Sequence, residues 1–370
     1  MLLVIILLLI YLSLLAGLLA GLLLPGKPAL NSRQPFVSII VAARNEAAAL
    51  PHCIKALTQQ DYPHEKMEII LVDDRSTDNT WTIIQDYARR YPFIHTLQIT
   101  GAPEWQSGKK SALQQAYTLA QGEFLFFTDA DCRPPSTWIS EILPLFTDDI
   151  GLVAGFSPQQ AKTSPAWNGF LFMESLAAAL VAAASIGLGR GVTCAGRNLA
   201  ARASTLRDIA GYTRLPDTLS GDDDFLLQAV ARQPRWQCRY SFSPRTHVPA
   251  AGPSNLRQYF RQKSRHLSAG KRFSWLQQTG YALYYAANYG LWLAAIAALW
   301  INAALVIPLV LKLAADWFVL TLFSKKLHSP FKLQNFLLWQ ALFPALHLAA
   351  APRAFFSKLT WHDHKGTRHV

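Results

Sequence analysis

The sequence predicts an α/β fold: a Rossmann-like, largely parallel sheet set between N-terminal and C-terminal transmembrane helices. Three observations lead there. Short apolar, β-rich pieces alternate with helix-like pieces from residue 36 onward, the pattern of a parallel sheet covered on both faces. Carboxylates follow two of the strand-like pieces at once, as Asp73-Asp74 and as Asp129-Ala130-Asp131. Apolar runs fill residues 1–24 and recur beyond residue 280.

Taken in order, residues 1–24 carry no charged side chain and are long enough to cross a bilayer as a helix. A cleaved signal peptide is the competing reading, but the run is too long for its apolar region and lacks a charged lead-in. Lys27 and Arg33 follow, which places the downstream side in the cytoplasm. Residues 36–43 read as a strand, 45–60 as a helix and 67–72 as a buried strand. Ser76, Thr77 and Asp78 are N-cap candidates for a helix carrying Trp81, Ile84 and Ala88. A third strand at 93–99 and a helix at 109–121 lead to the strand that begins at Phe124.

The alanine-rich run 176–189 lies between Glu174 and Arg190. It is too short to span comfortably and reads as a core or interfacial helix. Residues 255–272 form a basic amphipathic segment able to lie on an anionic leaflet. Beyond it, 281–301 and 303–323 read as membrane helices, the second holding Lys312 and Asp316 at i,i+4, an ion pair inside the bundle. The run 336–351 either crosses or re-enters, because the basic tail through Lys358, Lys365 and Arg368 conflicts with a full crossing. The expected organisation is thus an anchor at 1–24, a catalytic unit at 35–254, an interfacial helix at 255–272 and transmembrane or re-entrant segments at 280–352.

Composition narrows the class. Of 370 residues, 51% are hydrophobic and 16% charged, with a net charge of +12. Basic proteins suit nucleic acid or an anionic membrane. Here the basic residues sit beside apolar segments without an aromatic-interleaved groove, so no nucleic-acid partner is expected. The four cysteines, Cys53, Cys132, Cys194 and Cys238, form no CxxC pair, which argues against a disulfide framework or zinc site and fits a reducing compartment. The expected place is the cell (plasma or inner) membrane, multi-pass, with the catalytic unit cytoplasmic.

Asp129 and Asp131 put two hard oxygen ligands at a strand end, in the crevice where α/β sheets collect ligands. Mg²⁺ or Mn²⁺ suits such a pair together with phosphate oxygens. Asp73 and Asp74 can accept hydrogen bonds from a nucleoside, although the same stretch also suits a helix cap. Asp222, Asp223 and Asp224 precede a helix at 225–230, where the macrodipole stabilises acids.

These motifs resemble the inverting, family 2 glycosyltransferases of GT-A fold. Val37 to Glu46 is similar to their opening strand, and Val72 to Asp78 to their second signature. Asp129-Ala130-Asp131 matches the metal motif, Gly221 to Leu226 the acidic motif and Gln262 to His266 the Gln-x-x-Arg-Trp motif. The resemblance runs roughly from residue 35 to 271. It implies transfer of a sugar from a nucleotide-sugar donor, expected to be a UDP-sugar, to a lipid or glycan acceptor at the lipid bilayer; a processive polysaccharide synthase and an inactive nucleotide-binding membrane scaffold are the competing readings. It places Ala43, Arg44, Glu46, Asp73, Asp74, Lys109 and Asp129 around the nucleotide, although Arg44 and Glu46 would look the same in an exposed charged loop, and Lys109 as a solvated helix-start lysine. Aligning Leu226 makes Asp223 the general base, flanked by Asp222 and Asp224; a slip of one residue makes it Asp224. Asn198, in Gly196-Arg197-Asn198, falls on the acceptor side. Gln262 and Arg265 would meet the diphosphate or acceptor, and His266 stands where the family has Trp, which puts the acceptor in question more than the reaction.

Overall fold

The computed structural model describes residues 1–24, 33–102, 104–105 and 107–356. Lys27, Lys358, Lys365 and Arg368 lie outside the described residues. The chain opens with helix α1 (Leu2–Leu23) and enters a sheet domain through β1 (Val37–Ala43), α2 (Leu50–Thr58), β2 (Met67–Asp74) and α3 (Thr80–Arg90). It continues with β3 (Ile94–Ile99), α4 (Gly108–Leu119), β4 (Phe124–Asp129), α5 (Trp138–Ile142), β5 (Ile150–Gly155) and β6 (Gln159–Gln160). Then come α6 (Pro165–Gly187), β7 (Leu199–Arg202), α7 (Ala203–Asp208), α8 (Asp222–Ala231), β8 (Gln237–Ser241) and β9 (Ala250–Ala251). Four helices complete it: α9 (Leu256–Ala269), α10 (Trp275–Ala297), α11 (Ile307–Lys326) and α12 (Leu333–Phe356).

Seven strands form one sheet in the order β3-β2-β1-β4-β7-β5-β8. Only β7 runs against its neighbours. The mostly apolar β1 and β2 are covered on both faces, as parallel strands must be. Alternation splits their side chains: Ile39, Val41, Ile69 and Leu71 pack with Leu50 and Ile54 of α2 and Ile84 of α3. Ile40, Ile70 and Val72 pack on the opposite face with Ala112 and Ala116 of α4. The α/β reading therefore holds.

Several boundaries differ from the sequence reading, each for a local reason. The helix expected from residue 45 begins at Leu50, because Asn45 adopts a left-handed backbone (φ 54°) and opens a turn. The N-cap of α3 is Asn79, one residue past the candidates, while Asp78 still accepts from the Thr80 N–H at 3.0 Å. The alanine-rich helix α6 starts at Pro165, capped by Ser164, and is mostly buried, so it is a core element.

Among the described residues, three helical stretches are long and apolar enough to cross a membrane by length and composition: Leu2–Leu23, Pro165–Gly187 and Ala303–Lys326. The helix expected at 281–301 is not among them, since α10 carries Gln277, Gln278, Asn288 and four tyrosines. Its outer face still exposes Leu293 and Ile296, alongside Leu2, Leu3 and Leu9 of α1 and Val310 and Phe318 of α11. So much exposed apolar surface marks a membrane or partner contact. The basic helix α9 packs against its neighbouring helices. Tyr259 and Ser264 are buried, Lys263 pairs with Glu174 of α6 at 2.9 Å, and Ser264 donates to the Ala350 carbonyl of α12.

Helix α6 joins the halves, packing on β8, α1 and α12. It crosses α1 so closely that a Cβ on Gly21 would lie 2.2 Å from the Ala184 carbonyl oxygen. Farther along, a buried polar knot ties α1, α11 and α12. Lys312 pairs with Asp316 at 2.9 Å, Tyr11 donates to Asp316 at 2.7 Å, and Gln340 bridges both partners at 2.6 and 2.7 Å. Asp316→Ala leaves a buried ammonium without its counter-charge and is expected to cost about 3–5 kcal/mol. Tyr11→Phe removes one hydrogen bond and should cost about 1 kcal/mol. Thermal unfolding in detergent micelles checks that order; equal and small losses would mean that the knot is hydrated and carries little stability.

Candidate active site

Strand register builds the first wall. Pairing sets Ala43 opposite Asp73 and Ala42 opposite Asp129, so the ends of β2 and β4 flank the end of β1. Asp73 is 1% exposed, and neither carboxylate oxygen has a hydrogen-bond partner among the described residues. Asp74 accepts from the Arg75 Nε at 2.7 Å through Oδ1, while Oδ2 is buried and unengaged. Buried acceptors seldom stay unsatisfied, and two neighbours with free oxygens are a receptor for donor hydrogens. Arg44 lies beside them: burial pulls its guanidinium down, against the charge of Asp74.

The turns after β1 and β2 are clasped together. Asn45 N–H donates to Ser76 Oγ at 3.0 Å, and Thr77 N–H to Asn45 Oδ1 at 2.7 Å. Glu46 N–H donates to Thr80 Oγ1 at 2.9 Å, and Ala47 N–H to Asp78 Oδ2 at 3.2 Å. Asn45 and Asp78 thus position the wall. Sequence reasoning missed this clasp, although Asn in a turn is a known signal.

The second wall is acidic. Asp129 is ion-paired with Lys109 from the start of α4, which brings that lysine into the cleft. Desolvation pushes the Asp129 carboxyl up, but the hydrogen-bonded Lys109 outweighs it and holds it below the usual carboxylate range. Asp131 is raised, by burial first and then by the Asp129 charge. The ligand atoms of Asp129, Asp131 and Cys132 lie within 4.8 Å of one another.

The acidic triplet completes this wall. It opens α8 behind Gly221, whose φ of 90° suits glycine and whose absent side chain admits Ala269 of α9. Buried Asp222 accepts from Ser107 Oγ at 3.1 Å. Burial, aided by Asp223, pushes it up to about 6, although the nearby Lys109 charge pulls the other way. Asp224 accepts from Thr193 Oγ1 at 2.7 Å and from the Cys194 N–H at 3.0 Å. Burial and the Asp223 charge set it well above the carboxylate range. Asp223 accepts from the Gly196 N–H at 2.7 Å through Oδ2.

Cations face these acids from three elements. Arg265 of α9 sits among Asp129, Asp223 and Asp222; burial lowers its guanidinium while those charges raise it. Arg197 is close enough to act on both Asp129 and Asp131, and its Nε donates to Ser157 Oγ at 2.7 Å. Sequence reasoning weighed its neighbour Asn198 instead. That residue is fully buried, accepting from Trp138 Nε1 at 2.9 Å and donating to the Phe156 and Thr246 carbonyls at 2.8 Å each. Its amide is engaged in these three bonds, which tie α5, the end of β5 and the loop before β9 together. Gln262 Oε1 is buried with no hydrogen-bond partner among the described residues. His266 is exposed, on a different side of α9 from Arg265. Five carboxylates therefore meet three cations here, leaving room for added positive charge.

Comparison with known proteins places the chain. The profile of Glycosyl transferase family 2 matches residues 38–172, and that of Glycosyl transferase family group 2 matches residues 124–324. A beta-monoglucosyldiacylglycerol synthase of Nostoc sp. is 38% identical over 112 residues, 30% of this chain and 24% of that protein. Glycosyltransferase AglE of Haloferax volcanii is 33% identical over 110 residues, 30% of this chain and 35% of that one. The match thus spans only a quarter to a third of these relatives' length. Mannosyltransferase PcManGT from Pyrobaculum calidifontis, solved with GDP-Man and Mn²⁺, superposes with a TM-score of 0.60 at 21% identity. It covers 95% of this chain and 99% of its own, which establishes a shared GT-A fold. With one profile spanning just over half of its length, the chain belongs to the family 2 glycosyltransferases.

Proposed function

We propose that the chain transfers a sugar from a nucleotide sugar, a UDP-sugar in the first instance, to a hydroxyl of a lipid or lipid-linked acceptor, with inversion, in one displacement. The observation that carries this reading is the convergence of Asp129, Asp131, Asp222, Asp223 and Asp224 with Lys109 and Arg265. Beside them lie the unsatisfied oxygens of Asp73 and Asp74. The names of the relatives that glycosylate diacylglycerol lend support to a lipid acceptor. The outward apolar faces of α1, α10 and α11 support membrane embedding. Residues 35–254 would then be the catalytic unit, anchored by α1 and the C-terminal helices, with its cleft on the cytoplasmic side.

In this reading Asp73 and Asp74 accept hydrogen bonds from the base or ribose, next to Ala43, Arg44 and Glu46. Lys109 and Arg265 hold the diphosphate, with Gln262 at its edge; the planar guanidinium suits phosphate oxygens. Asp129 and Asp131 would hold Mg²⁺ or Mn²⁺, a fit for two hard oxygen donors in a cleft with surplus negative charge. When bound, the ion supplies Lewis-acid neutralisation of the departing diphosphate. Asp223 takes the acceptor proton. It is the member of the triplet best placed, because Asp224 is held by two donors and Asp222 is buried against Ser107. Preorganised charges of this kind carry much of such a barrier.

Membranes carrying the protein should move label from a panel of nucleotide sugars into an organic-soluble product in Mn²⁺ or Mg²⁺. Asp223→Asn should lower the rate by about 10²–10⁴-fold, and Asp131→Ala should abolish dependence on the added ion. Full activity in both variants, folded and inserted, would sink the assignment. Label in a high-molecular-weight aqueous product would point to a polysaccharide synthase instead.

A second outcome concerns pH. The folded-state value of Asp222, about 6, stands above the unfolded one, so the protonated form favours folding. That contribution is full below about pH 4 and is lost as pH rises through about 6. In a chelator, stability should fall by on the order of 2–3 kcal/mol between about pH 4 and 7, and Asp222→Asn should flatten the fall. An identical profile in both proteins, read by thermal unfolding, would refute the buried-carboxyl account.

A further inference from the structure

Helix α10 packs on α1 and α11, whereas α12 packs on α6 and α9. Between α10 and α12 runs a seam bridged by side chains. On the α10 wall Tyr281, Tyr285 and Tyr289 recur every fourth residue and stack. Their centroids are 6.5 and 5.8 Å apart, with planes within 22°. On the α12 wall His347 stacks on Tyr285 at 4.9 Å, with a hydrogen bond of 3.1 Å between hydroxyl and Nε2. Phe343 lies 4.9 Å from His347 on the same wall. The three tyrosines are neither buried nor fully exposed, so the stack is partly exposed along its length.

The seam is continuous with the acid cleft. Phe225, two residues past Asp223, lies 5.8 Å from Phe273, which lies 6.1 Å from Tyr281. Midway along the seam, near Tyr285 and His347, Glu174 is held by Lys263 at 2.9 Å and by the Tyr259 hydroxyl at 2.8 Å. Beyond His347 the seam turns apolar through Phe343 and Trp339, 5.4 Å apart. A polar end at the acids and an apolar end among the helices match an amphiphile lying along the seam. An anionic headgroup is disfavoured, since carboxylates outnumber cations in the cleft and Lys263 is already paired.

We propose that the seam between α10 and α12 is the binding route of a neutral lipid acceptor, its acyl tail along Tyr281, Tyr285, Tyr289 and Phe343 and its free hydroxyl presented to Asp223. This rests on the lipid-acceptor reading above and names the chemical class: an uncharged, hydroxyl-bearing lipid with acyl chains.

The test uses the full chain in phosphatidylcholine nanodiscs with a diacylglycerol carrying a diazirine in one acyl chain. After illumination, peptide adducts are mapped by mass spectrometry. Adducts should concentrate at residues 281–289 and 343–347 and be competed by unlabelled diacylglycerol, while those on outward Leu293 and Phe318 are not. Phosphatidic acid, with the same tails and an anionic head, should compete poorly. Tyr285→Phe keeps the stack and should label normally. Tyr281→Ala should reduce seam labelling by about tenfold, the loss of one good aromatic contact, without altering nucleotide-sugar affinity. Adducts spread evenly over outward residues, or unaffected by competitor, would overturn the route. Equal competition by phosphatidic acid would overturn the neutral headgroup. Labelling needs no sugar transfer, so an inactive enzyme with a labelled seam refutes the catalytic reading alone. An active enzyme with an unlabelled seam refutes the route alone.

Discussion

Seven carboxylates crowd one edge of a single sheet, and the rest of the structure exists under that constraint. Asp73, Asp74, Asp129, Asp131 and the triplet from Asp222 are like charges held close together, and like charges repel. No local segment could hold them. Parallel register fixes Asp73 and Asp129 on either side of β1, and the left-handed Gly221 aims the triplet from a separate helix. Compensation is also distributed: Lys109 comes from α4, Arg197 from the loop before β7 and Arg265 from α9. Removing any one leaves the others buried among uncompensated charge.

Arg265 makes the helical half part of the same electrostatic unit. Its helix is held from behind by the Ser264 hydrogen bond to Ala350 and by the Lys263 ion pair to Glu174. Helix α6, which supplies Glu174, in turn grips α1 at the Gly21 crossing. The guanidinium that balances the cleft is therefore positioned through helices that the chain devotes to its apolar half.

The fold was legible because its signals are local and redundant. Apolar runs ending in acids gave β2 and β4, and the basic amphipathic pattern gave α9 to within three residues at either end. What escaped depends on tertiary direction. Nothing in Arg197-Asn198 says that the arginine reaches the acids while the amide is spent on Trp138 and two carbonyls. Nor does the basic pattern of α9 reveal that one guanidinium points inward, because composition reports charge and not heading. The Asn45 and Asp78 clasp was hidden for the opposite reason. Each residue reads as an ordinary turn former, and their pairing across thirty-odd positions appears only when β1 and β2 lie side by side.

Acceptor choice is where the two halves meet. In the family's motif an aromatic ring follows the arginine, but here position 266 is a histidine and it is exposed. A run of aromatic rings leads away from the acidic triplet through Phe225, Phe273 and Tyr281, supplied by α8, the α9–α10 connection and α10. Rings leading out of the cleft toward α10 and α12 select for what extends beyond the reacting hydroxyl. Aromatic faces reward extended apolar contact, and the discrimination they exert grows with the length of what lies on them. On the proposed reading the sheet edge would decide which nucleotide sugar is activated, and the helices which molecule receives the sugar.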